Sequence, residues 1–265
     1  MATDTQPPDV HRLAADLHDE QEVLDGLVAD LPDDGWATST PSPGWTVADQ
    51  IGHLTYFDGT AATAIVDPEA FKASVVELLG AGDVEDVTLH RALRPADLLD
   101  RWRANRRRLA EVAATLSDGD RVPWYGPSMG AKSFVTARLM EVWAHGQDVA
   151  DALGAERPAT DRLRHIAQLG YITRGWTYVN RGLDVPAGDV RVELDAPSGG
   201  VWTWGPEGAA AQVRGPAVDF CLVVTQRRHV HDTDLQVKGD VARDWMEKAQ
   251  AFAGGPTDGP PPRAA

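Results

Sequence analysis

A single cysteine in 265 residues, Cys221, excludes an internal disulfide. Its place in the apolar run Phe220-Cys-Leu-Val-Val marks it as a buried core thiol, not a nucleophile. Long apolar runs are missing too. No stretch of about 18 apolar residues occurs, so no membrane-spanning helix is expected. Basic residues are in deficit, 25 Lys and Arg against 40 Asp and Glu for a net charge of -15. That removes the concentrated positive surface a nucleic-acid partner needs and favours solubility instead. The opening Met1-Ala-Thr-Asp-Thr-Gln-Pro-Pro has neither a basic n-region nor an apolar h-region. Together these absences lead to the expectation of a cytoplasmic protein with neither a membrane nor a nucleic acid as partner. No internal repeat is found.

What is present describes a folded protein. The length suits two domains of about 100 to 150 residues, and 43% hydrophobic residues with nine tryptophans suffice for real cores. In the first half, Val10, Leu13, Leu17, Leu24, Leu27 and Leu31 recur at helical spacing until Pro32 to Gly35 stop the helix. Thr46 then stands as an N-cap with Asp49 three residues on, which starts a second helix running to about Ile65. A shorter helix is predicted over Pro68 to Leu79 and long ones over Pro95 to Leu116 and Ala131 to Leu153. Four long helices with such connections predict an antiparallel bundle over residues 1–157.

After Pro158 the pattern changes. One further helix is expected over Thr160 to Leu183. Val190-Arg-Val-Glu-Leu, Val201-Trp-Thr-Trp and Ala211-Gln-Val-Arg then alternate with period two, as strands do. A helix from Pro216 to about Arg228, a strand at Leu235-Gln-Val-Lys and a helix from Asp240 to Phe252 complete an α+β domain over 158–253. The Pro/Gly-rich residues 254–265 have little apolar surface to bury and read as a disordered tail.

Glu141 and His145 lie four residues apart on the fourth long helix, so both side chains reach one point beside the apolar stripe of Leu139, Val142, Val149 and Leu153. Alone, such a pair reads first as an ordinary helix contact worth a few tenths of a kcal/mol. His53, beside Val47, Ile51 and Leu54 on the second helix, reads alone as a core-edge histidine. The combination is different: one His and a Glu/His pair on two helices of a bundle form a three-ligand set with an open position. Two His and one carboxylate suit zinc and equally Fe(II) or Ni. Asp148, three residues after His145, is placed to orient a ligand, with an exposed helix-surface role as the alternative.

Three other motifs are set aside. Gly126-Pro-Ser-Met-Gly has the form of a nucleophile elbow, but a polar, Pro-interrupted segment precedes it where a buried strand is required. His229-Val-His231-Asp232 lacks the spacing of a ligand cluster and reads as a polar loop. Arg101, Arg103, Arg106, Arg107 and Arg108 read as a solvated face, with binding of a cofactor or substrate carboxylate as the minority reading.

Pro41-Ser-Pro-Gly-Trp-Thr-Val-Ala-Asp-Gln-Ile-Gly-His-Leu and Arg138-Leu-Met-Glu-Val-Trp-Ala-His-Gly-Gln-Asp-Val resemble the two signatures of the mycothiol-dependent maleylpyruvate isomerase family, part of the DinB-like metal-binding superfamily. The resemblance implies a DinB-like four-helix bundle with zinc on His53, Glu141 and His145. It implies mycothiol as the low-molecular-weight thiol and a small electrophilic molecule as substrate. Gly215-Pro-Ala-Val-Asp-Phe resembles the family's small sterol-carrier-like α+β C-terminal domain. Trp202-Thr-Trp-Gly and Thr225-Gln-Arg-Arg are more similar to an actinobacterial subgroup of metal-binding proteins of unassigned activity. Where the isomerases carry Trp-Gly-Arg, this chain has Thr225-Gln226-Arg227-Arg228, which leaves Arg228, or else Arg227, as the candidate substrate-assisting arginine. Trp202 and Trp204 join it as candidate cofactor or substrate contacts, on a second domain expected to close over the pocket. The resulting expectation is a thiol-dependent transferase or isomerase; a metal-dependent hydrolase of the same fold and a non-catalytic small-molecule or lipid binder are the alternatives.

Overall fold

The structure, a computed structural model, describes residues 8–80 and 84–263. The chain divides between Glu156 and Arg157 into two compact units. The first holds α1 (Val10–Val28), α2 (Val47–Val66), α3 (Pro68–Gly80), α4 (Val84–Leu89), α5 (Pro95–Ala113), the two-residue strands β1 (Arg121–Val122) and β2 (Met129–Gly130), and α6 (Ala131–Leu153). Local signals account for the ends. Asp9 caps α1 by accepting from the Arg12 amide. Thr46 and Asp49 close a reciprocal capping box on α2. Pro95 opens α5, and Gly154, at φ 61°, ends α6 in the left-handed conformation that glycine adopts without strain.

The long helices form a ring in which α1 meets α6, α6 meets α2, α2 meets α5 and α5 returns to α1. Leu13, Leu17, Leu24, Val28, Ile51, Leu54, Leu98, Trp102, Leu109, Leu139, Val142 and Val149 are buried between them. Side-chain pairs give the register of α2 on α6. Gln50 meets His145, His53 meets Glu141 and Asp58 meets Arg138, so numbers rise on one helix as they fall on the other and the two run antiparallel. The Asp58–Arg138 pair is fully buried: Arg138 Nη2 donates to Asp58 Oδ1 at 2.8 Å, while Gln21 and Trp102 donate to Asp58 Oδ2 at 3.0 and 3.3 Å. Three helices are thus tied to one carboxylate of α2. A side chain at Gly52 is barred by the end of α4, since a Cβ there would sit 1.9 Å from the Leu89 carbonyl oxygen.

The arginine row on α5 departs from the expected solvated face. Arg101, Arg107 and Arg108 are exposed, but Arg103 donates to both oxygens of Asp25, and Arg106, itself buried, bridges Glu22 and Asp25 at 2.8 and 2.5 Å. Residues three apart on one helix reach acids three apart on its neighbour, a match invisible in either helix alone. The hydrogen bond from Arg103 outweighs burial and, with Arg106 beside it, holds the Asp25 carboxyl below its ordinary range.

The second unit comprises α7 (Leu163–Ile172), α8 (Arg174–Val179), β3 (Val190–Asp195), β4 (Val201–Trp204), β5 (Ala211–Pro216), α9 (Ala217–Val224), β6 (Gln236–Lys238) and α10 (Asp240–Lys248). Its mixed sheet has the order β4-β3-β5-β6, with β3 and β5 parallel (Val192 opposite Val213) and the outer pairs antiparallel. Val190, Val192 and Leu194 alternate into the core. The single helix expected over 160–183 is two helices. Thr173 interrupts it at φ −86°, ψ 7°, its hydroxyl donating to the carbonyls of Leu169 and Gly170. The helix after Pro216 stops at Val224, because Gln226 takes a left-handed φ of 58° and Arg227 N–H turns back to the Leu222 carbonyl. The last helix ends at Lys248, where Ala249 turns extended. Residues 254–263, expected as disordered, carry neither helix nor strand but are hydrogen-bonded back to the unit: Asn180 donates to the Gly254 carbonyl, and the Arg263 amide donates to Asp232. Among the described residues, no helix is long and apolar enough to cross a membrane.

Candidate metal centre

The antiparallel register of α2 and α6 decides what faces what. His53 lies two turns into α2, and Glu141 and His145 share one face of α6 because 3.6 residues make a turn. Glu141 Oε2 lies 3.2 Å from His145 Nε2 and 3.6 Å from His53 Nε2. One ligand atom from each of the three residues falls within 4.8 Å of the others. Two ligand atoms of a tetrahedral zinc, each about 2.0–2.1 Å from the ion, lie roughly 3.3 Å apart. The two separations from Glu141 fall on either side of that value and the third stays within 4.8 Å, so the three residues fit a shared divalent ion. The imidazole rings of His53 and His145 approach to 4.4 Å between centroids.

Aromatic rings frame the histidines. Trp45 lies near-parallel to His145 with centroids 5.8 Å apart and 5.4 Å from His53, while Phe57 tilts against His53 at 4.5 Å. Tyr125 meets Phe57 edge-on, and Trp124 stacks on Phe71. Burial in this apolar frame, reinforced by the neighbouring His145, pushes the His53 pKa from 6.5 down to about 4, against the opposing pull of Glu141. Burial alone would raise the Glu141 pKa; hydrogen bonding to His145 and His53 overrides it and holds the carboxyl well below its ordinary value. His53 is therefore neutral and Glu141 charged at pH 7, the states a metal ligand requires.

These shifts bear on stability. His53 in the metal-free fold binds its proton only near pH 4, whereas the unfolded chain binds it near 6.5. Its contribution is complete above pH 6.5 and falls between 6.5 and 4, as the unfolded state protonates first; the depressed Glu141 acts in the same direction at lower pH. The metal-free protein is expected to lose up to about 3 kcal/mol to this histidine over that window. His53→Gln should flatten the dependence of the urea midpoint on pH between 7 and 4.5. An equally steep decline in the variant would show the acid sensitivity to lie elsewhere.

Gln50 was not singled out from sequence. It is buried, three residues before His53 on the same face of α2, and its Oε1 lies 2.5 Å from His145 Nδ1. Its only signal was that spacing, and an uncharged amide draws no notice there. Nδ1 of His145, the atom an orienting aspartate would take, is thus held by Gln50. Asp148 is buried on α6 and accepts from the Ser42 hydroxyl at 3.1 Å, which fixes the loop that leads into α2. Ser128 of the apparent elbow is exposed in the turn joining β1 and β2, its Oγ accepting from Arg121. Antiparallel strands of two residues replace the buried strand that a nucleophile elbow needs.

The remaining candidates lie in the second unit. Trp204 on β4 donates from Nε1 to Gln168 and stacks on Tyr171; Trp202, two residues earlier, is half-buried. Arg228 follows α9, donates to the Arg227 carbonyl and lines a small recess with His229, Met246 and Glu247, a recess that neither tryptophan lines. His229 and His231 approach to 4.8 Å, but the His231 amide donates to His229 Nδ1, as in an ordinary loop. Cys221 is buried with its thiol pKa pushed up by burial, consistent with a core residue.

Comparison with known proteins agrees with this division. Residues 17–150 match the family model described as the mycothiol maleylpyruvate isomerase N-terminal domain. Residues 186–237 match one described as wyosine base formation. An uncharacterized protein of Mycobacterium tuberculosis, present in two strains, is 50% identical over 248 residues, covering 92% of this chain and 96% of its own. A crystal structure of the mycothiol-dependent maleylpyruvate isomerase is similar in fold, with a TM-score of 0.58 and 18% identity over 97% of this chain and 99% of that one. A histidine-to-alanine mutant of that isomerase gives a TM-score of 0.57 at 16% identity with the same coverage. With its first unit matched from within α1 almost to the end of α6, the chain belongs to the mycothiol maleylpyruvate isomerase N-terminal domain family.

Proposed function

We propose that the chain is a metal-dependent enzyme of thiol chemistry, a transferase or isomerase that brings a low-molecular-weight thiol of the mycothiol type to a small electrophilic substrate. The observation that carries this reading is the convergence of His53, Glu141 and His145 on one point, inside the domain that defines the family. These three residues would hold the ion, and zinc is the metal proposed. When bound, such an ion lowers the pKa of a thiol or water brought to it and so supplies a nucleophile at neutral pH.

The chain's own residues do the rest. Glu141 supplies the single negative charge among the ligands, and neutral His53 accepts a cation without first releasing a proton. Trp45 and Phe57 pack against the imidazoles and restrict their rotation, so the ligands are ordered before anything binds. The same rings limit water around the histidines, which strengthens every charge interaction there. In the second unit, Arg228 is proposed to bind an anionic group, and Trp202 and Trp204 to offer flat apolar contact. Asp148 is proposed to act indirectly, through the Ser42 loop.

The test is turnover of an electrophile such as a bimane, or of maleylpyruvate, by zinc-loaded protein with and without mycothiol. Conversion that requires both thiol and metal, and disappears with a chelator, is the expected result. Metal-dependent conversion of hydrolysable esters or amides without thiol would reassign the site to hydrolysis. No conversion under any of these conditions, with uptake of an apolar ligand, would replace the enzyme by a binding protein.

A further inference from the structure

We infer that Gln50 is the positioning residue of this centre: a chain of hydrogen bonds from the Trp45 carbonyl through Thr40 and Gln50 fixes His145 as the tautomer protonated on Nδ1, so that Nε2 presents a lone pair toward Glu141. The inference rests on the metal reading above only for what that lone pair is used for. The tautomer follows from the hydrogen-bond directions once the Thr40 hydroxyl proton is placed on the Trp45 carbonyl.

The count begins at the Trp45 carbonyl. It accepts from the Thr40 amide at 2.8 Å and from the Thr40 hydroxyl at 2.9 Å. The one hydroxyl proton of Thr40 is spent there, so Thr40 Oγ1 can only accept from its other neighbour. That neighbour is Gln50, 2.9 Å away, and the atom facing Thr40 must be the amide nitrogen Nε2. A flipped amide would require the Thr40 hydroxyl to leave the Trp45 carbonyl and donate to Oε1 instead; with the hydroxyl on that carbonyl, Oε1 is turned toward His145. Oε1 has no proton to give; His145 Nδ1, 2.5 Å from it, must carry one.

In its uncharged form His145 then has no proton on Nε2. Its lone pair faces Glu141 Oε2 at 3.2 Å, and His53 Nε2 stands 3.6 Å from the same oxygen. The Nε2 lone pair and the carboxylate then face each other as two acceptors, which repel unless a proton or a cation lies between them. Gln50 thereby converts an ordinary i,i+4 contact, in which a neutral histidine would donate to the glutamate, into a pair of facing acceptors. The opposite amide orientation would put the proton on Nε2 and satisfy Glu141 internally. Gln50 is fully enclosed and comes from the same helix face as His53, so one helix supplies a ligand and orients the ligand across from it.

The experiment reads tautomer and affinity separately. Nitrogen-15 NMR of histidine-labelled, metal-free protein at pH 8 is expected to show His145 protonated on Nδ1. Thr40→Val, which frees the amide to flip, should give a mixture of tautomers and a several-fold loss of affinity for zinc ion in competition with a chromophoric chelator. Gln50→Leu should lose the Nδ1 form and bind zinc about 10- to 100-fold more weakly, the usual cost of losing such a partner. Gln50→Glu, whose carboxylate still accepts from Nδ1, should keep the tautomer and bind within a few-fold of the parent. If Gln50→Leu does not fold, Thr40→Val and Gln50→Glu still decide. A parent His145 protonated on Nε2, or an unchanged tautomer and affinity in both Thr40→Val and Gln50→Leu, would overturn the assignment. Failure of the parent to bind zinc would overturn the metal reading, while the metal-free tautomer would still judge Gln50.

Discussion

Asp58→Asn is expected to destabilise the first unit by about 3–5 kcal/mol, the cost of stranding a buried guanidinium after its partner's charge is removed. The substitution keeps shape and volume, so no cavity contributes. Asp58 is wholly enclosed and accepts from Arg138, Gln21 and Trp102 at once, and Arg138 is almost equally enclosed. An asparagine offers one acceptor oxygen where two are used, and its amide nitrogen would meet a donor head-on. At roughly 2–4 °C per kcal/mol for a chain of this size, the melting temperature should fall by about 10 °C. The pair is a strong constraint without being a strong net stabiliser. Replacing both charges, Asp58→Leu with Arg138→Met, should recover at least half of the loss, because no ion then remains buried alone. A single variant within 1 kcal/mol of the parent by urea unfolding would mean that water reaches Arg138 and the pair is not closed.

Asp58–Arg138 also shows where reading the sequence stops. Helical spacing puts Arg138 on one stripe with Glu141, His145 and Asp148, and the stripe faces α2. Periodicity tells which residues share a face but not which helix the face meets. Nothing in α6 alone therefore marks Arg138 as core, and Arg103 and Arg106 read as solvated when they grip α1. Local chemistry was more readable. The capping box at Thr46 and Asp49, Pro95 at the head of α5 and Gly154 past α6 each act within one turn, and the helices begin or end there. Stops made by a side chain or an uncommon φ were missed, as at Thr173 and Gln226, because threonine and glutamine are tolerated inside helices. The three ligands could be named because imidazole and carboxylate groups are conspicuous and a family resemblance joined two distant segments. Gln50 was not, because its role depends on which atom of a neutral amide faces which neighbour.

Removal of Glu141 or His53 should abolish metal binding, and this separates a metal centre from a helix contact that merely resembles one. Elemental analysis of the parent is expected to find about one divalent ion per chain, matching the single three-residue group among the described residues. Glu141→Ala should lose the most, since it removes the only formal charge among the ligands. Its affinity should fall by well over 100-fold, beyond the 10- to 100-fold typical of partners that only orient a ligand. His53→Ala should follow closely, while His231→Ala, on a loop of the second unit, should keep full occupancy. Stability supplies an independent reading with a definite sign. A ligand that binds only the folded state adds about 2.7 kcal/mol at a free concentration 100 times its Kd, so a chelator should lower the melting temperature of the parent and leave both ligand variants unmoved. A structural Glu–His contact predicts the reverse pattern: the variants melt lower than the parent, and the chelator affects none of them. Full metal content in both Glu141→Ala and His53→Ala would sink the assignment, and with it the thiol chemistry built upon it.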